Sequence, residues 1–101
     1  MKHLLFALVA TVVISVPAMA SQELADTNKC KKCHQLDVTK EGPSFKEIAK
    51  KYAGQSDAVD KLTSKVMKGG SGVWGKEEMP ENKKVTKADA KTIVSWILTL
   101  Q

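Results

Sequence analysis

Residues 29–36, "KCKKCHQL", hold the only two cysteines of a 101-residue chain, with His34 directly after the second. What a close thiol pair can do depends on the compartment it reaches. The N-terminus answers that first. "MKHLLFALVATVVISVPAMA" begins with the basic Lys2, continues with an uncharged apolar run from Leu4 to Val16, and ends on Ala18 and Ala20. This is the pattern of a secretory signal peptide with an A-x-A cleavage site after Ala20. The run is shorter than the ~18 residues of a membrane-spanning helix. The expected product is a mature chain of residues 21–101, exported to the periplasm and without stable membrane insertion.

A chain of that length makes one small domain, and domains of this size usually draw stability from disulfides, a metal or a bound group. Cleavage removes Lys2 and no carboxylate, so the mature chain keeps a net positive charge carried wholly by lysine, because the sequence contains no arginine. Nucleic-acid readers rely on arginine for bidentate contacts and on aromatics for stacking. The mature aromatics are Phe45, Tyr52, Trp74 and Trp96. Nucleic acid is therefore not an expected partner, whereas transient docking to acidic surfaces, or plain solubility, suits spread lysines.

The recurring pattern is helical. Residues 21 to about 33 read as a polar helix carrying the cysteine pair near its C-terminal end. "EGP" marks a loop, after which Ser44 and Glu47 form a capping box and Gly54 terminates a second helix. Asp57 is the expected N-cap of a third helix, with Val59, Leu62 and Val66 on one face and Gly69-Gly70 at its end. Thr86 caps a fourth, whose stripe is Ala90, Ile93, Val94, Ile97 and Leu98. Between the last two lies "GGSGVWGKEEMPENKKV", free of helical period. Such a loop is uncommon in a small domain and is usually functional.

On a helix, Cys30 and Cys33 share a face one turn apart. Two thiols so placed can add to the two vinyl groups of one haem while His34 offers an imidazole nitrogen to the iron, and C-x-x-C-H is the attachment sequence of haem c. Competing uses fit less well. A redox dithiol needs a βαβ context, and no strand pattern is present. Structural zinc needs four ligands, but the mature chain offers only Cys30, Cys33 and His34. A disulfide would close a very short loop and constrain little. A second iron ligand cannot be histidine, because His3 leaves with the signal. Met67 sits in an amphipathic helix, where methionine is usually filler; Met79 sits in the irregular loop, held by Pro80, and is favoured over Met67.

"CKKCH", "GPSF", "GVWG" and "MPEN" occur in the order and at about the intervals of the short bacterial class I monohaem cytochromes c, and the mature chain resembles that family throughout, including its periplasmic donors to nitrite reductase. The resemblance implies an all-α domain of four to five helices around one haem c bound through Cys30 and Cys33. It implies His34 as proximal and Met79 as distal iron ligand, with the Pro43 carbonyl accepting the imidazole's hydrogen bond. Trp74 and Lys65 correspond to positions near a haem propionate, and Asn82 to a side chain near the methionine sulfur. Trp96, Tyr52 and Phe45 read as core. The chain departs from the family's pattern at Glu81, where a second proline is common, in the charged "KEE" before Met79, and at Ala25, where an aromatic often packs against the last helix.

The function implied is one-electron transfer between respiratory donors, such as a membrane cytochrome complex, and an acceptor such as nitrite reductase, cytochrome oxidase or a peroxidase. With both axial positions filled no open site remains for oxygen chemistry, which argues against an enzyme. Lys29, Lys31, Lys32, Lys76, Lys83 and Lys84 are expected to form a positive rim for docking. The rival classes are a haem sensor with a displaceable distal ligand, separated by carbon monoxide binding, and a haem-free thiol protein, separated by thiol reagents.

Overall fold

The computed structural model describes residues 18–100. Most of the expected signal peptide lies outside them. Among these residues there are four α-helices: α1 (Ala18–Thr27), α2 (Phe45–Lys51), α3 (Ala58–Lys68) and α4 (Lys87–Ile97). Among the described residues there is no strand, only an isolated antiparallel bridge between Gly70 and Met79. The all-α expectation holds.

α4 is the hub, packing against α1, α2 and α3. Its buried residues are Ala90, Ile93, Val94, Trp96 and Ile97, four of which belong to the stripe read from the sequence. They join Phe45, Tyr52, Leu62 and Val66 in one core. Ala25, fully buried on α1, belongs to that core. Its small side chain lets α1 and α4 approach where a larger one would have to be accommodated. Phe45 and Trp96 meet edge to face at 5.6 Å, a favoured geometry for aromatic pairs.

Two caps form as the sequence requires. Ser44 Oγ accepts from the Glu47 N–H at 3.1 Å, and Thr86 Oγ1 accepts from the Asp89 N–H at 3.1 Å. Asp57 holds the N-cap position of α3 but makes no side-chain capping bond.

The first helix is shorter than its sequence pattern suggests. α1 stops at Thr27, and Lys29 turns left-handed at φ 62°. Asn28 closes the end, donating from both its backbone N–H and its side-chain Nδ2 to the Leu24 carbonyl. Lysine rarely adopts that conformation, so nothing in its side chain announced the break. The cysteines therefore sit not on α1 but on a separate 3₁₀ turn, Cys30–Lys32, with Cys33 at its C-cap. With three residues per turn, a 3₁₀ helix brings positions i and i+3 into line, so the thiols still share a side.

A candidate haem pocket

The His34 side of the pocket is built by the chain folding back on the motif. After His34, the Gly42 N–H donates to the Cys33 carbonyl at 2.8 Å and the Phe45 N–H to the Gln35 carbonyl at 2.8 Å. These bonds bring Pro43 to the imidazole, whose Nδ1 lies 2.8 Å from the Pro43 carbonyl oxygen. A carbonyl can only accept, so Nδ1 carries the hydrogen, and in the neutral ring the lone pair then lies on Nε2. Phe45 stacks on the same ring at 5.7 Å with an interplanar angle of 22°. Gly42 lies so close that a Cβ there would come within 2.5 Å of His34 Cε1. His34 is held on three sides.

The Met79 side hangs on a glycine pair. Gly70 and Met79 exchange both backbone hydrogen bonds, at 2.9 and 2.8 Å, closing the neck of the 71–78 loop. Gly69 has φ 74°, and a Cβ there would run into the Met79 carbonyl. A Cβ on Gly70 would meet Lys65 Nζ at 2.9 Å. Gly69 thus does more than end α3: its missing Cβ lets the segment carrying Met79 lie against it, while Gly70 leaves room for the Lys65 side chain. Every residue from 71 to 78 is exposed. Trp74 is covered on one side by the Lys51 ammonium, 5.1 Å from the ring centroid.

Asn82 anchors the far side of this segment. Its Oδ1 accepts from the backbone N–H groups of Lys84 and Val85, and its Nδ2 donates to the Asn28 carbonyl at 3.0 Å. In the structure this amide joins the Met79 segment to the end of α1. One of its two Nδ2 hydrogens remains for another partner.

Two clefts, of about 230 and 420 Å³, share Cys33, Met79 and Pro80 as common wall residues. The smaller also takes Pro43, Lys65 and Trp74; the larger takes Cys30, His34 and Asn82. All eight residues singled out in the sequence line one or the other. Met67 lines neither and packs on the core. Sequence reasoning missed Gly42, Gly69 and Gly70 as site residues, and Glu41, and took Phe45 for core alone. "EGP" and "KGG" were visible signals, but spacing carries no hint of which ring or carbonyl fills the place of a missing Cβ.

Both thiols titrate above their ordinary range. Burial pushes Cys30 up, with smaller effects from its surroundings. Cys33 is raised first by the hydrogen bond that its Sγ donates to Glu41 Oε2 at 3.2 Å. Reactive redox dithiols work through a lowered pKa. This pair is tuned the other way. Two thiols in line with an imidazole directly after them, opening on adjoining clefts, suit instead the attachment of one haem c.

Comparison with known proteins agrees. The family model described as "Cytochrome c" matches residues 18–101. The chain belongs to the cytochrome c family. Its relatives include cytochrome c-552 of Hydrogenobacter thermophilus, 47% identical over 95% of this chain and 97% of that one. Cytochrome c-552 of Nitrosomonas europaea is 48% identical over 83% of this chain and 82% of the relative. The crystal structure of the wild-type Nitrosomonas protein superposes with a TM-score of 0.78, covering 79% of this chain and 99% of that one. That of the class 1 cytochrome MtoD from Sideroxydans lithotrophicus ES-1 gives 0.71 at 39% identity, covering 85% and 98%. This cytochrome c is thus a small class I monohaem protein and an electron carrier, with one covalent haem c at the Cys30/Cys33 pair.

Proposed function

We propose that the iron of this cytochrome is ligated by His34 and Met79, and that the protein carries single electrons in the periplasm between a respiratory donor and a terminal reductase or oxidase. The observation that carries the ligand reading is the bond from His34 Nδ1–H to the Pro43 carbonyl, which fixes the tautomer with Nε2 available for iron. Such an outer hydrogen bond also orients the ring and raises its basicity. Met79 supports the opposite ligand by lining both clefts and by being tied to Gly70 on either side of its own backbone unit.

The haem, when bound, supplies the one-electron couple of its iron. The chain's own part is to hold both axial ligands in place in either oxidation state and to exclude competing ligands. Lys65 and Trp74 line the smaller cleft and are suited to receive propionate charge through an ammonium and an indole N–H. Redox partners follow from the family's role as carriers, and an acidic patch on the partner follows from the lysines that border the larger cleft. Export rests on the N-terminal pattern. The exported protein should begin at Ser21, which intact mass measurement reads directly together with the added haem.

The deciding experiment is the visible and near-infrared spectrum of the matured protein. Sharp ferrous haem c bands with the weak ferric near-infrared band of methionine-to-iron ligation support the assignment. A haem spectrum without that band, or one that binds carbon monoxide readily when reduced, overturns Met79 as a tight distal ligand.

A further inference from the structure

The stacking of His34 on Phe45 connects the proximal ligand to the core of the helices. Phe45 is 2% exposed and opens α2; one side of its ring faces the imidazole at 5.7 Å, and the edge-to-face partner Trp96 of α4 lies at 5.6 Å. The Nδ1 bond to Pro43 holds one atom of the imidazole, and rotation about the His34 Cβ–Cγ bond would swing that atom off the carbonyl. A flat ring stacked at 22° opposes such rotation, and Gly42 opposes it from a second side. Phe45 is itself buried and packed edge to face against Trp96, which restrains its own movement.

We propose that Phe45 is a positioning residue for the proximal ligand: stacked on His34 and backed by Trp96, it fixes the imidazole plane and thereby the strength of the Nδ1–H bond to Pro43. The inference rests on His34 being the iron ligand. It has a direction. A well-formed Nδ1–H···O=C bond makes the imidazole more electron-rich and favours ferric iron. Loosening the ring weakens that bond and raises the reduction potential. The C-terminal helix then reaches the iron without touching it, through two aromatic rings.

The test compares matured holoproteins carrying Phe45→Leu, Phe45→Tyr, Trp96→Leu and Val94→Ala. Val94 is buried in α4 and is no part of the aromatic pair, so its truncation weakens the core without loosening the stack. Three quantities are read: the melting temperature, the reduction potential, and the hyperfine-shifted proton resonances of the ligand histidine in the ferric state. Phe45→Leu should raise the potential and broaden or double the histidine resonances, Phe45→Tyr should restore both, and Trp96→Leu should give a smaller shift of the same sign. Val94→Ala should lower the melting temperature and leave potential and resonances in place.

If Phe45→Leu only melts earlier, as Val94→Ala does, the positioning role is overturned. Should Phe45→Leu fail to accumulate, Trp96→Leu decides by the same readings. A wild type whose ferric spectrum lacks ligand-histidine resonances overturns the ligand reading itself, and is told apart from the first failure because it appears before any substitution.

Discussion

Met79 and Met67 carry the same thioether in unlike surroundings. Met67 packs on the core from α3, whereas Met79 lines both clefts. Met79→Ala should therefore leave the haem attached through Cys30 and Cys33 but remove the near-infrared methionine band. It should also lower the reduction potential by on the order of 0.1 V, within the roughly 0.8 V over which axial ligands set haem potentials. Met67→Ala should keep band and potential and cost ~2–5 kcal/mol at most for a truncated core side chain. Voltammetry with spectra of the two variants checks both. At Gly42 the same scale gives a sharper demand. Its missing Cβ is occupied by the His34 ring, so Gly42→Ala must displace either the loop or the imidazole. A shifted potential together with a lowered melting temperature is expected, whereas Gly54→Ala, outside both clefts and with open space around it but φ 76°, should cost backbone strain alone and leave the potential unchanged.

At the scale of elements, α2 links the two halves of the site. Seven residues long, it starts with Phe45 on the His34 imidazole and ends with Lys51 over the Trp74 ring of the 71–78 loop. So short a helix owes little to its own propagation, and its Ser44 cap matters in proportion. Ser44 is fully buried, and Ser44→Ala should cost about 1 kcal/mol. That corresponds to a melting temperature lower by roughly 4–8 °C, readable by circular dichroism of the holoprotein. Thr86→Ala, at a longer helix with the larger apolar stripe, is expected to cost no more.

Caps and stripes of this kind were legible because they depend on residues three or four apart. The end of α1 was not, since it rests on an Asn28 amide and a left-handed Lys29, neither of which periodicity records. The cysteine pair nevertheless read correctly as a site, because three-residue spacing aligns side chains on a 3₁₀ turn as it nearly does on an α-helix. What stayed hidden was contact across the fold. Ser44-Glu47 is local, but Phe45 on His34 and Gly69 under Met79 join segments that only tertiary folding brings together.

Over the whole molecule, charge is sorted by cleft. The larger is bordered by Lys29, Lys32, Lys83 and Lys84 against one carboxylate, Glu81, which pairs with Lys83 at 3.5 Å. The smaller is bordered by Glu41, Glu47, Glu77 and Glu78 with Lys65 alone opposing them. Of the other lysines expected at the rim, Lys31 pairs with Asp26 and Lys76 lines neither cleft. The net charge of +5 therefore understates how polar the surface is around the site. The proposed acidic partner would be steered to the larger cleft, and such steering multiplies association rates by ~10–1,000 at low salt and fades once the Debye length falls below the separation of the charges. Lys32→Glu with Lys84→Glu should then slow electron transfer to an acidic redox partner by about tenfold or more at low ionic strength, with the difference closing near 0.5 M salt. Lys87→Glu with Lys91→Glu on α4 changes the net charge equally but lies outside both clefts. If that pair slows transfer as much, net charge alone does the steering; if it does not, the cleft lysines are the docking rim, and stopped-flow rates across a salt series separate the two.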